Sequence, residues 1–314
     1  MRATGRGHLL QTAGWAAVKR ATDWVPKRFR LTDGDRDIGL CQVLLKKGPL
    51  GVTLAYAPRG PLVDAADLPA ALRALSAALA GERCAGLLAD PEQPPSPELA
   101  SALARSGARP AGVFVQPRRT LLVDLTRPAE ELLAAMRKKT RQYIHKAERE
   151  GVITEETRDI DRFLAVLTKV AARDRFALHD RAYFQAILAA FGDAAHLTIS
   201  RVGGEDDGAL LAVRIGDRAW ELYGGWSGAH GESRPFYLLK WRSLLGMKQR
   251  RAARYDMWGL SEHEGDELAG IENFKLGFGG EVATWIGAYD RPVVAPLYPL
   301  WRIAGRRRLA VAAR

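Results

Sequence analysis

The stretch TRPAEELLAAMRKKTRQYIHKAEREG, Thr126 to Gly151, decides how the chain is organised. Thr126 stands where a helix N-cap belongs, Pro128 sits in the first turn, and Glu130 and Glu131 follow where acids suit the positive end of a helix. Helical character continues to Arg149, and Gly151 fits the position just past a helix C-terminus. The spacing predicts one long helix connecting two domains. At 3.6 residues per turn Lys138, Arg141, His145 and Arg149 share one face, and Met136, Tyr143 and Ala147 the other. With Lys139, this is the most basic helix of the chain, a rigid rod of cations suited to phosphates. The plainer reading of the same pattern is a solvated amphipathic face.

Upstream of this helix the pattern is mixed. Trp15 to Lys19 reads as a short helix, Cys41 to Lys47 and Val52 to Tyr56 as strands around a Gly48-Pro49 turn, and Leu68 to Ala80 as a helix. Gly86 to Ala89 and Arg119 to Leu125 read as strands, Leu99 to Arg105 as a helix. Downstream the theme returns. Helices are predicted over Arg162 to Arg173, Arg181 to Phe191 and Phe236 to Gln249, with strands over His196 to Val202, Leu210 to Ile215, Ala219 to Tyr223 and Arg254 to Trp258. Both halves are thus strands flanked by helices, an α+β chain with expected domains 1–150 and 151–290 and a basic C-terminal helix over 291–314.

With 314 residues, 47% of them hydrophobic, the chain can bury two ordinary cores. Its net charge of +11 favours polyanionic partners such as nucleic acid, nucleotide phosphates or an anionic membrane surface. The two cysteines, Cys41 and Cys84, sit among apolar or small neighbours with no histidine at metal-ligand spacing, as reduced structural thiols of a cytoplasmic protein do. The N-terminus carries no secretory pattern and no apolar run reaches transmembrane length.

Few segments carry chemistry. IENFKLGFGGE, Ile271 to Glu281, sets Lys275 among glycines and aromatics, and a lysine there can hold a phosphate or a developing oxyanion. On pattern alone it reads as a bulged hairpin with an exposed lysine. Trp220, Tyr223 and Trp226, with Gly224, Gly225 and Gly228, form either a stacking platform or, more commonly, strand core plus turn. Gln11 to Ala16 matches the Q/R-x-x-G-x-G/A phosphate loop of CoA-dependent acetyltransferases, but only ten residues precede it, whereas that loop follows a central strand. No nucleophile elbow or Cys/His pair occurs.

In order along the chain, LLQTAGWAAVK (Leu9 to Lys19), YAPRGPLVD (Tyr56 to Asp64), ADPE (Ala89 to Glu92), RRTLLVDL (Arg118 to Leu125), MRKKTRQYIHKAEREGV (Met136 to Val152), ARDRF (Ala172 to Phe176), YLLKW (Tyr237 to Trp241), RYDMWGL (Arg254 to Leu260) and GIENFKLGFGGE (Gly270 to Glu281) resemble the Fem family, the FemABX-like peptidyl transferases. The resemblance spans nearly the whole chain. It implies two domains of the GNAT acetyltransferase fold facing one another across a cleft, without the coiled-coil arm of some members. It implies an aminoacyltransferase of peptidoglycan cross-bridge synthesis, with an aminoacyl-tRNA donor, a muropeptide acceptor (UDP-MurNAc-pentapeptide or lipid II), no metal and no CoA.

By the same resemblance, Phe274 and Lys275 match a Phe-Lys pair in the cleft, where Lys275 stabilises the tetrahedral intermediate or orients the tRNA end. Lys19, following Trp15, matches a lysine on the acceptor's phosphates, and Tyr223 a tyrosine near its sugar. Arg181 and Tyr183 resemble an acceptor-holding pair, and Asp90 a minor acidic position. Lys138, Lys139, Arg141, His145 and Arg149 are the candidate tRNA contacts. The expected protein is a cytoplasmic monomer. The tail PLYPLWRIAGRRRLAVAAR invites a peripheral contact at the inner face of the membrane, or packs as a terminal helix. Two rival readings remain: a CoA-dependent N-acyltransferase, and a non-catalytic RNA- or envelope-binding module.

Overall fold

The computed structural model describes residues 7–48, 51–113, 115–175, 177–262, 269–300 and 302. The chain divides into two compact units, residues 1–118 with 284–314, and residues 119–283. The division thus falls ahead of the Thr126–Gly151 segment, which lies wholly in the second unit, and the residues after Ala283 return to the first.

The first unit opens with α1 (Ala13–Arg20), then β1 (Val25–Asp33), β2 (Arg36–Lys47), β3 (Thr53–Ala57), α2 (Leu68–Ala78), β4 (Cys84–Ala89), α3 (Pro97–Arg105) and the short β5 (Arg109–Pro110). The second unit contains β6 (Arg119–Asp124), α4 (Ala129–Ala135), α5 (Lys138–Arg149), β7 (Ile153–Thr157), α6 (Ile160–Asp174), α7 (Arg181–Phe191), β8 (Ala195–Val202), β9 (Glu205–Ile215), β10 (Arg218–Trp226), α8 (Pro235–Gln249), β11 (Arg254–Asp256) and α9 (Ala269–Leu276). β12 (Glu281–Thr284) closes the second sheet, and β13 (Tyr289–Pro292) belongs to the first. The expected helix over 291–314 lies mostly outside the described residues; within it Arg291 and Pro292 are strand, Ala295–Leu297 a 3₁₀ turn and Tyr298–Leu300 a short helix. Among the described residues no helix is long and apolar enough to cross a membrane.

The first sheet runs β1-β2-β3-β4-β13-β5 and the second β12-β6-β11-β10-β9-β8-β7. The first sheet is antiparallel apart from β3–α2–β4, whose parallel pair is closed by a helix; in the second, β10–α8–β11 makes the same parallel unit, and the pairs β6–β11, β10–β9, β9–β8 and β8–β7 are antiparallel. The two halves therefore share a plan. Alternation along β2 explains its burial. Cys41, Val43 and Leu45 pack with Leu72 and Leu75 of α2, while Leu44 joins Trp24, Tyr56 and Leu88 in a separate cluster. Both cysteines are free and buried.

The long helix predicted over Thr126–Arg149 is two helices. Met136 and Arg137 are extended (ψ 153 and 143), because Met136 buries its side chain and the Arg137 amide bonds Gly277 O at 2.9 Å. Arg141 turns back to bond the carbonyls of Ala134, at 3.1 Å, and of Met136. Thr126 does not cap. Its hydroxyl bonds Asp124 at 2.6 Å, and Pro128 stands at the helix start. Gly151 ends α5 as expected, with φ +73 and the Val152 amide on Ala147 O at 3.0 Å. The observed β1, β5, β7, β12 and β13 are not among the predicted strands. β1 and β7 are edge strands rich in charge, the composition that keeps sheet edges from pairing with other chains.

The predicted hairpin over Ile271–Glu281 is also corrected: Ile271 to Leu276 belongs to α9. Its glycines admit backbone neighbours rather than a ligand. A Cβ on Gly280 (φ +104) would lie 2.5 Å from Leu122 O, and one on Gly279 (φ +74) 3.0 Å from Ala135 O. Gly280→Ala is therefore expected to cost about 1–3 kcal/mol in the left-handed region, before the clash is counted. An unchanged urea midpoint would contradict this reading.

Candidate functional site

Lys275 lies on the last turn of α9 and is buried, 8% exposed. Its Nζ donates to the carbonyl oxygens of Trp258 and, at 2.8 Å, Gly259. Those carbonyls converge because Trp258 and Gly259 both take left-handed backbone, φ +51 and +47. For tryptophan that conformation is strained and must be held from outside. Asp256 does so. Its carboxylate accepts the Trp258 amide at 2.8 Å and the Thr120 hydroxyl, while Met257 N bonds Leu121 O at 2.9 Å and Leu260 N bonds Arg119 O at 2.8 Å. Arg119 in turn pairs with Glu272 of α9 at 3.2 Å.

Burial lowers the Lys275 pKa to about 8, Lys240 adds to the fall, and Glu221 and Asp256 oppose it. The group is thus a desolvated ammonium that can shed its proton near neutrality, a mark of functional sites.

Phe274 is half-buried in an aromatic wall. It stacks on Phe236 at 5.4 Å and meets Phe278 and Tyr237 edge-on at 5.2 and 4.8 Å. Behind the wall Lys240, fully buried, makes a bidentate ion pair with Glu221 at 2.6 and 2.8 Å. Glu221 also accepts the Tyr255 hydroxyl at 3.1 Å, and Tyr255 bonds Ser243 at 3.1 Å. The sequence reading quoted YLLKW and RYDMWGL but gave Lys240, Tyr255 and Asp256 no role. Their only signal was a lysine and an aspartate inside apolar runs.

Tyr183 and Tyr223 come together, hydroxyls 3.3 Å apart, with His179 stacked on Tyr183 at 3.8 Å. Burial raises the Tyr183 pKa to about 12 and that of Tyr223 well above its usual value, so both stay phenols. Arg181 does not join them. It is exposed and pairs with Asp161 of α6 at 2.7 Å. Trp220 is strand core and Trp226 lies under Arg173, so the aromatic-glycine run is core plus turn.

In the first unit Lys19 is buried with its Nζ 5.4 Å from the centre of the Trp15 ring. Burial, then Lys46, lowers its pKa to about 8. Gln11, the start of the CoA-loop match, is buried and bonds Gln42 and Pro58, while Thr12 caps α1. That segment is a packed helix start, preceded by no strand among the described residues. Asp90 is buried and accepts the Tyr56 hydroxyl and the Arg59 amide, both at 2.7 Å. Burial outweighs the opposing Arg59, Tyr56 and amide interactions and raises its pKa to about 6. A raised carboxyl pKa favours the fold below the unfolded value of about 3.9, and that contribution is lost as pH rises through about 6. Asp90→Asn should flatten this part of the stability curve and cost about 1–3 kcal/mol through its orphaned partners. Urea midpoints at pH 4 and 7 check both.

On α5, Lys138, Lys139, His145 and Arg149 are exposed, whereas Arg141 is partly engaged with the end of α4. His145 pairs with Glu148 at 3.1 Å, and Lys139 lies 5.6 Å from the centre of the Tyr143 ring. Thr140, Ile144 and Ala147 form the buried side.

The FemAB family model matches residues 108–206 and 208–306, more than half of the chain. The chain belongs to the FemAB family. A UDP-N-acetylmuramoylpentapeptide-lysine N(6)-alanyltransferase of Weissella viridescens is 26% identical over 285 residues, covering 85% of this chain and 84% of the relative. A lipid II:glycine glycyltransferase of Staphylococcus saprophyticus is 23% identical, covering 96% and 92%. Among solved structures FemX superposes with a TM-score of 0.84 at 20% identity over 96% of both chains. A tandem GNAT protein from the clavulanic acid biosynthesis pathway superposes at 0.56 with 15% identity over 88% of both. The fold of this FemAB member is thus a mixed α/β chain of two GNAT-like halves.

Proposed function

We propose that this FemAB member is an aminoacyltransferase of peptidoglycan cross-bridge synthesis. It moves an amino acid from aminoacyl-tRNA onto the side-chain amine of the stem peptide of UDP-MurNAc-pentapeptide or lipid II. The observation that carries the reading is the desolvated Lys275 ammonium, fixed by two carbonyls beside Phe274. The family and the relatives' substrates supply the reaction class.

The neutral acceptor amine attacks the ester carbonyl. The new C–N bond forms, the C–O bond to the tRNA ribose breaks, and the amine's proton leaves with the ribose hydroxyl. The ester is already activated, so positioning and oxyanion stabilisation dominate. Lys275 stabilises the tetrahedral oxyanion. Lys19 and Trp15 bind the acceptor's phosphates, with Tyr223 and Tyr183 toward its sugar and peptide. Asp90 acts indirectly by fixing the turn through Arg59. Arg181, tied to Asp161, contributes least. The exposed cations Lys138, Lys139 and Arg149, with His145 and Arg141, give α5 a surface for tRNA phosphates.

The test is amino-acid transfer from each aminoacyl-tRNA in turn to UDP-MurNAc-pentapeptide and to lipid II in detergent. Acetyl-CoA replaces the charged tRNA in a control arm. Transfer from a charged tRNA supports the proposal, and incorporation from acetyl-CoA alone would replace it.

A further inference from the structure

Behind the Phe274–Lys275 pair lies an ion pair that the reaction as described does not use. Lys240 of α8 and Glu221 of β10 are both buried, and Nζ meets the two carboxylate oxygens at 2.6 and 2.8 Å. Isolating two charges from water is unfavourable, and apolar residues of similar volume often replace such pairs without loss. The surroundings here are specific. The Lys240 Nζ lies 5.5, 5.3 and 6.0 Å from the ring centres of Phe236, Phe274 and Phe278. Phe274, one of those rings, directly precedes Lys275 on α9.

On its other side Glu221 is fixed by Tyr255, and Tyr255 by Ser243, so the carboxylate is held from β10, α8 and β11 together. This arrangement pins a positive charge where the aromatic wall meets α9.

We infer that Lys240, locked by Glu221, is a positioning residue for the transfer chemistry, fixing the Phe274 wall and the field in which the Lys275 ammonium works. The inference rests on the aminoacyl-transfer reading and extends it from one lysine to a coupled pair. The charged groups acting on Lys275 are Lys240 from α8, Glu221 from β10 and Asp256 from β11, of which Lys240 acts most strongly. Glu272, on α9 itself, is paired with Arg119 of β6. With Lys240 removed, Lys275 keeps its carbonyl partners but loses the like charge that disfavours its protonation.

The experiment compares wild type, Lys240→Met and the double variant Lys240→Met/Glu221→Gln. The double variant keeps the test valid where the single one leaves Glu221 buried without a counter-ion and fails to fold. The Lys275 titration is followed by NMR of ¹³C-lysine-labelled protein, its resonance assigned from Lys275→Met, alongside kcat and acceptor KM.

The expected result in Lys240→Met is a Lys275 midpoint that moves up by roughly half a pH unit or more, as loss of a nearby like charge requires, and a smaller shift in the double variant, where the opposing Glu221 charge is lost as well. With it kcat falls by about tenfold or more while KM stays within about threefold, the pattern of an interaction made in the transition state. A midpoint unchanged in Lys240→Met, or a kcat unchanged in the double variant (where the opposing charges of Lys240 and Glu221 leave together) with only thermal stability altered, would overturn the inference and leave the pair structural. Absence of transfer in wild type would overturn the aminoacyl-transfer reading instead, and the midpoint would still decide the coupling.

Discussion

Lys275→Ala is expected to lower kcat for aminoacyl transfer about 10²- to 10³-fold, the range for removing one oxyanion-hole donor. Acceptor KM should stay within roughly threefold, because the oxyanion exists only along the reaction path. The side chain is buried and clasped by Trp258 and Gly259, so its charge is held in place before the substrate arrives. Equal losses in kcat and in acceptor binding would sink the role.

The pH dependence follows from the same geometry. Burial first, then Lys240, brings the Lys275 pKa to about 8. The ammonium is the working form, so transfer should decline as pH rises through about 8, and residual activity of Lys275→Ala should lack that limb. The stability consequence has the opposite slope. The folded value lies below the unfolded value of ~10.4, so between the two the unfolded chain binds more protons and stability rises with pH. Lys19, also lowered to about 8 by burial and Lys46, contributes in the same direction. Urea midpoints at pH 8 and 10 for wild type and Lys275→Met measure the Lys275 share. No difference between the two slopes would count against it.

The largest stability effect is expected at the ion pair behind that lysine. Lys240→Met strands Glu221, 7% exposed, without its counter-ion, and loss of one partner of a buried pair costs about 3–5 kcal/mol. Glu221→Gln is milder, since the amide still accepts from Lys240 and Tyr255. The double variant should lose less than the sum of the singles, a non-additivity of about 0.5–3 kcal/mol for groups in contact. Urea titrations of the three variants close the cycle. Additive losses would mean that the two side chains do not act as a pair.

Much of this was legible in the chain because helix and strand periodicities are local. The apolar spacing of Arg162–Arg173 and Arg181–Phe191, the alternation through Cys41–Lys47 and the glycine after Arg149 all report on neighbours a few residues apart. Motif order gave the family, and with it Lys275, Phe274, Lys19 and Tyr223. Misreadings came where a local signal met a distant partner. The glycines around Phe278 looked like a hairpin, yet they let the backbone lie against Leu122 and Ala135. The unbroken helical pattern through Met136 hid a kink set by the Gly277 carbonyl. β1 and β7 were disguised by the charge that suits exposed edges.

Residue order and periodicity were enough for the fold class, the family and the central lysine. Tertiary structure alone decided that Lys275 is buried, that its two carbonyls come from a strained turn held by Asp256, and that Lys240 faces Glu221. Lys275 stands 17 and 16 positions from the residues that supply its carbonyls, and Lys240 19 from Glu221. No periodicity of one helix or strand encodes which distant backbone will supply the acceptor for a buried charge.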